Sequence, residues 1–225
     1  MSLLECKGVT RIFDANSAAF KALDDVSMSI EEGEFVAIVG RSGSGKSTLL
    51  NVLGMLDVPD EGEVLFEGVN VSTMSDKEKS VLRNKSFGYV FQSFFLEPEY
   101  TVYENVEMPL VIAGVKASER DERTRELIEL VGLNDRKDQK TKKLSGGEKQ
   151  RTCIARALAC KPSIVLADEP CGNLDSANSA EIMKLFRVIA EQGSAVLMVT
   201  HNEDDAAKAD RIMYMKDGSL SDERQ

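Results

Sequence analysis

Gly40, Arg41, Ser42, Gly43, Ser44, Gly45, Lys46 and Ser47 fill every position of the pattern GxxxxGK[ST]. Those residue types at that spacing suit the grip of a polyphosphate. Glycines let backbone N–H groups crowd around phosphate oxygens where a Cβ would collide, and a following helix adds its dipole and free amides. Lys46 would meet the β- and γ-phosphates, the Ser47 hydroxyl would ligate Mg²⁺, and Thr48 follows in the same first turn. An ordinary glycine-rich turn is the bland alternative, and it does not explain why a buried strand precedes the loop and an apolar helix follows it.

A second set of chemical groups lies far downstream. The apolar run at residues 164–167 ends in the adjacent carboxylates Asp168 and Glu169. Alternation along a strand would point them in different directions, Asp168 to the Mg²⁺ shell and Glu169 to the attacking water. The chain's one histidine, His201, follows the apolar run at 195–199, where it would bond a γ-phosphate at the carboxyl edge of an open α/β sheet. Gln92, leaving the run at 87–91, would ligate Mg²⁺ and orient a water, or is a solvated loop residue. Phe13 would stack on adenine or belong to the core.

One more candidate anion site appears at Leu144-Ser145-Gly146-Gly147-Glu148. Ser145 suits an N-cap, and the two glycines would admit a phosphate to the helix start. Since one nucleotide needs one phosphate loop, this second site suggests contact with another copy's nucleotide.

The elements that must position these groups follow from periodicity. Residues 3–13 and 22–30 alternate like antiparallel strands joined by a turn-rich segment at 14–19. Strands are expected at 35–39, 63–66, 87–91, 164–169 and 195–199, with a closing hairpin from 211 to 220. Helices are expected at 46–54, 75–83, 101–113, 118–131, 149–159 and about 173–190, the last with Ile182, Leu185, Phe186 and Ile189 as its buried stripe. Residues 92–156 read as a helical insertion between two parts of a nucleotide core, 1–91 and 157–225. Within it, Phe94, Phe95, Leu96, Tyr100 and Tyr103 form either packing or a partner-binding patch.

Composition excludes several classes. The 225 residues carry a net charge of −10, with 29% charged and 42% hydrophobic residues, so a nucleic-acid backbone is a poor partner. Apolar runs are strand-length, well short of the roughly 18 residues of a membrane span. The N-terminal segment lacks the basic and apolar regions of a secretory signal. Cys6, Cys153, Cys160 and Cys171 show neither CxxC spacing nor a histidine cluster, which argues against zinc and disulfides and for a reducing, cytoplasmic setting.

Taken together, the phosphate loop, Gln92, Leu144 to Glu148, Asp168-Glu169, Asn173-Leu174-Asp175 and His201 resemble, in order and spacing, the ATPase subunits of ABC transporters over nearly the whole chain. The resemblance implies an α/β fold: a P-loop core with a mixed sheet, an N-terminal antiparallel β subdomain and an inserted α-helical subdomain. It implies ATP and Mg²⁺ as ligands, Phe13 stacking on adenine, Ser145, Gly146 and Gly147 clamping the nucleotide of a second copy, Asp175 contacting that copy, and His201 as a switch. Residues 53–57, 87–92 and 167–175 are similar to the branch that serves lipoprotein release (LolD-like) and macrolide or peptide export (MacB-like). Such subunits drive an integral membrane permease from the cytoplasmic face. An import ATPase shares this core, whereas soluble ABC-type ATPases acting on DNA or ribosomes usually carry coiled coils, zinc modules or a second cassette. Two departures stand out, a missing proline at Thr141 and Cys171 where the branch has threonine. Cys171 is either a small side chain replacing threonine at similar volume, or a thiol near the dimer seam kept protonated by Asp168 and Glu169 and alkylated slowly.

Overall fold

The computed structural model describes residues 2–15 and 18–223. Strand β1 (Leu4–Ala15) pairs antiparallel with β2 (Ala18–Ile30) as far as Ala15 opposite Ala18, with register shifts between Cys6 and Val9, Val9 and Arg11, and Arg11 and Ile12. Extended structure therefore runs through much of the segment expected to turn, because each added pair satisfies backbone groups on both strands at once; residues 16 and 17 lie outside the described residues. Next come β3 (Phe35–Gly40), α1 (Lys46–Leu53), β4 (Glu61–Phe66) and β5 (Val69–Asn70). At two residues, β5 is too short for any sequence period to reveal.

Helix α2 (Asp76–Ser86) starts on a reciprocal cap: Glu78 N–H donates to Ser75 Oγ, and the Glu78 carboxylate accepts from Ser75 N–H at 2.8 Å. It leads into β6 (Phe87–Phe91), then α3 (Val102–Ile112), α4 (Ala117–Leu130) and α5 (Gly146–Ala157). The chain closes with β7 (Ile164–Asp168), α6 (Ser176–Glu191), β8 (Ala195–Thr200), a single turn α7 (Glu203–Ala206), β9 (Arg211–Lys216) and β10 (Ser219–Ser221).

Among the described residues the strands form two sheets, an antiparallel one in the order β2-β1-β4-β5 and a larger one in the order β10-β9-β3-β8-β7-β6. Neighbours in the larger sheet are parallel except β10 against β9, which makes it mixed. Its central strands are apolar on both faces, as a covered parallel sheet requires. Phe35, Ala37 and Val39 of β3 join the core shared with α3 to α6, while Val36 and Ile38 face the core shared with α1, β1 and β2. Full burial of a side chain such as Phe35 or Ile38 contributes about 1.5–3 kcal/mol each. The consequence for function is a rigid row of strand ends: β3, β6, β7 and β8 all finish at one edge, and the loops leaving that edge carry the candidate residues.

Candidate functional site

The loop between β3 and α1 is built by steric demand. A Cβ on Gly40 would lie 2.4 Å from the Met215 carbonyl oxygen, and one on Gly45, whose φ is +108°, would lie 2.3 Å from the Ala22 carbonyl. No other residue type fits those two positions without moving backbone. Lys46, only 6% exposed, folds back so that its ammonium donates to the carbonyls of Gly40 (2.8 Å) and Arg41 (3.1 Å). Ser44 Oγ is buried in the loop with no hydrogen-bond partner. A buried hydroxyl left unpaired in a loop opening a helix leaves a donor free for an incoming anion, so the residues present suit a polyphosphate.

Around this loop one cleft gathers Phe13, Arg41, Ser42, Gly43, Gly45, Lys46, Ser47, Thr48, Gln92, Asp168, Glu169 and His201. Ser47 Oγ donates to Asp168 Oδ1 at 3.1 Å, bringing together two oxygen groups of the kind that Mg²⁺ prefers. Burial pushes the Asp168 carboxyl up from its ordinary range, with the Ser47 bond acting in the opposite direction. A cation there would relieve that cost, and the donor set fits Mg²⁺. Gln92 is fixed next to this pair, since Phe91 lies in register with Asp168 and the Gln92 carbonyl accepts from Asn173 Nδ2 at 3.1 Å.

Glu169 is turned by its own backbone. β7 stops at Asp168, and Glu169 takes φ +46°, so its direction comes from a left-handed residue and not from the strand alternation expected. Its Oε2 meets His201 Nδ1 at 2.8 Å and accepts from Thr200 Oγ1 at 3.5 Å, while its Oε1 lies 3.9 Å from Lys46 Nζ. One oxygen is thus held and the other faces the lysine. His201 bonds this carboxylate in the present arrangement.

Phe13 is 40% exposed on β1, with the Arg11 guanidinium 4.6 Å from its ring centre. Arg11 is itself braced by Asp57 at 2.9 Å and Asp60 at 3.0 Å. Sequence reasoning missed Arg11, although residues two apart on a strand share a face and could have signalled it.

Ser145, Gly146, Gly147 and Asp175 lie outside this cleft. Ser145 caps α5, accepting from Glu148 N–H, and Asp175 caps α6, accepting from Asn178 N–H at 2.8 Å and from Asn178 Nδ2 at 2.9 Å. A Cβ on Gly147 would fall 2.0 Å from Asn178 Oδ1. The two helix starts therefore pack as one unit through Asn178. Of the aromatic cluster, Phe94, Leu96 and Tyr103 pack against the core, whereas Phe95 and Tyr100 are exposed.

Residues 23–172 match the family model described as ABC transporter. The chain belongs to the ABC transporter family. This ABC cassette is 50% identical over 224 residues to the macrolide export ATP-binding/permease protein MacB of Chlorobium phaeobacteroides, a match that takes in 99% of the chain and 34% of MacB. The chain thus spans about a third of that relative's length. To the lipoprotein-releasing system ATP-binding protein LolD of Bordetella pertussis it is 46% identical, covering 96% of the chain and 94% of LolD. Its fold is similar to a solved dimer of the ATP-binding cassette MJ0796 in a post-hydrolysis state bound to ADP and Pi, with a TM-score of 0.89, 41% identity and 96% of both chains covered.

Within the cassette, Cys171 departs from expectation. Its side chain is 9% exposed, and burial pushes the thiol up to about 12, followed by Asp205 and only last by Glu169; Asp168 has no part. A buried, protonated thiol is a poor nucleophile. Maleimide at neutral pH should therefore leave Cys171 unmodified in the folded protein and label it only after denaturation, as peptide mass spectrometry would read. Rapid labelling in native buffer would contradict this placement.

Proposed function

We propose that the chain is the ATP-hydrolysing subunit of an ABC transporter, two copies of which close head to tail around two Mg-ATP and drive an integral membrane permease from the cytoplasmic face. One observation carries the reading. The cleft holds a phosphate loop, a Mg²⁺ donor set and an oriented carboxylate, yet the second anion-binding helix start, at Ser145 to Gly147, lies outside it on the same chain. A second copy supplies that half.

In this site the loop amides and Lys46 hold the β- and γ-phosphates, and Phe13 stacks on the base. Ser47, Asp168 and Gln92 would hold Mg²⁺, which would neutralise charge on the phosphate oxygens. Glu169 orients the attacking water and accepts its proton, while His201 and Thr200 hold the other carboxylate oxygen and so aim the group. The products are ADP and phosphate. Residues 92–156 serve as the arm that presents Ser145 to Gly147 to the partner, and 1–91 with 157–225 as the nucleotide-binding core. Asp175 lies at the seam between copies.

Export or extraction of lipid or lipoprotein is the favoured direction, supported by the likeness to MacB and LolD. No helix among the described residues is long and apolar enough to cross a membrane, so the path through the bilayer belongs to other segments or chains. The exposed Phe95 and Tyr100 are the contact proposed for the permease. Affinity purification from detergent-solubilised membranes should recover an integral membrane protein in stoichiometric amount, with an ATPase rate differing from that of the isolated chain. Recovery free of any membrane protein, with the same rate from membranes and from solution, would contradict the coupling.

A further inference from the structure

Just past Gln92 the backbone does something unusual. Phe94 and Phe95 have φ of +61° and +49°, two successive non-glycine residues in the left-handed region. Bulky side chains disfavour that region, so something must hold the kink in place. Both carbonyls accept from one guanidinium: Arg156 Nη2 donates to Phe94 O at 2.9 Å, and Nη1 donates to Phe95 O. Cys153 Sγ adds a contact of 3.2 Å to the Phe94 carbonyl. Arg156 forms no ion pair among the described residues, so its whole charge is directed at these two oxygens. A planar fork suits that task, because two parallel donors fix the orientation of a peptide segment as well as its position.

Gln92 is therefore fixed from two sides. Upstream, Phe91 is paired with Asp168 in the sheet; downstream, the kink is tied to the end of α5. We propose that Arg156 is a positioning residue for Gln92: by clamping the left-handed kink at Phe94 and Phe95 it sets where the Gln92 side chain stands relative to Ser47 and Asp168, and so the affinity for Mg²⁺. This rests on the reading of Gln92 as a Mg²⁺ ligand. α5 also begins at Ser145 to Gly147, so one rigid helix, about 15 Å from Gly146 to Arg156, joins the surface offered to the second copy with the clamp on Gln92.

The kink can be tested at Phe95, which is 67% exposed and whose ring meets Phe91 edge-on at 5.2 Å, a contact that both substitutions below lose equally. Phe95→Gly and Phe95→Val both remove the ring, but glycine accepts a positive φ freely and a β-branched residue resists it. The measurement is Mn²⁺ binding to the ATP-bound protein, with protein in excess over ATP, followed by electron paramagnetic resonance of the free ion. Arg156→Met and Phe95→Val should weaken Mn²⁺ binding on the order of tenfold, the usual effect of losing a group that orients a metal ligand. Phe95→Gly should stay near wild type, and metal-free ATP binding should be unchanged in all three. If Arg156→Met does not fold, the contrast between valine and glycine at position 95 still decides the matter. Equal Mn²⁺ affinity in Phe95→Val and Phe95→Gly overturns the clamp, provided that Gln92→Ala weakens binding. If Gln92→Ala leaves Mn²⁺ affinity unchanged, the Gln92 assignment fails and the clamp falls with it.

Discussion

Glu169→Gln should bind Mg-ATP with wild-type affinity and hydrolyse it at least about a hundredfold more slowly, the usual loss on removing a general base. The amide keeps the shape of the carboxylate and can still face His201 and Thr200, which now contact Glu169 Oε2. What it loses is the basic oxygen near Lys46 that orients water and takes its proton. Because binding survives while turnover stops, the ATP-bound dimer should accumulate and be visible by light scattering. Turnover close to wild type would remove Glu169 from the role assigned to it.

Lys46→Ala should fail one step earlier. The Lys46 ammonium is almost wholly buried and held over the loop by the Gly40 and Arg41 carbonyls, so it is preorganised for a phosphate. Loss of one charge-assisted contact of this kind costs about 1.5–3 kcal/mol, which is roughly ten- to a hundredfold in ATP affinity. Calorimetric titration with ATP would measure it. An unchanged dissociation constant would show that Lys46 does not touch the nucleotide. The two variants thus separate binding from chemistry, one losing affinity and the other only rate.

Much of this site can be read from the chain because its parts are local. The spacing of Gly40 to Ser47 dictates its own loop, and carboxylates or a histidine after an apolar run fall at a strand end in any parallel sheet. Elements with few residues escaped: β5 and α7 are too short to show a period, and the ladder between β1 and β2 ran through a segment whose composition suggested a turn. Long-range partners were hidden for another reason. Nothing near Phe94 in sequence points to Arg156, 62 positions away, and Cys171 reads as a loop residue until the packing against α6 buries it. Glu169 does diverge from Asp168, but through a single left-handed residue past the strand end and not through strand alternation.

Composite sites are the central claim, and mixing two defective subunits tests it. Ser145→Arg places a bulky cation where α5 begins, leaving that subunit's own cleft intact but unable to serve a partner; Lys46→Ala leaves the α5 start intact and damages its own cleft. In a mixed dimer one site carries both lesions and the other carries neither. ATPase activity should therefore reappear when the two purified variants are combined, rising well above either alone, with mixed dimers verified by distinguishable tags. If demonstrably mixed dimers stay as inactive as the parents, the proposal of two independent sites, each shared between two copies, is contradicted.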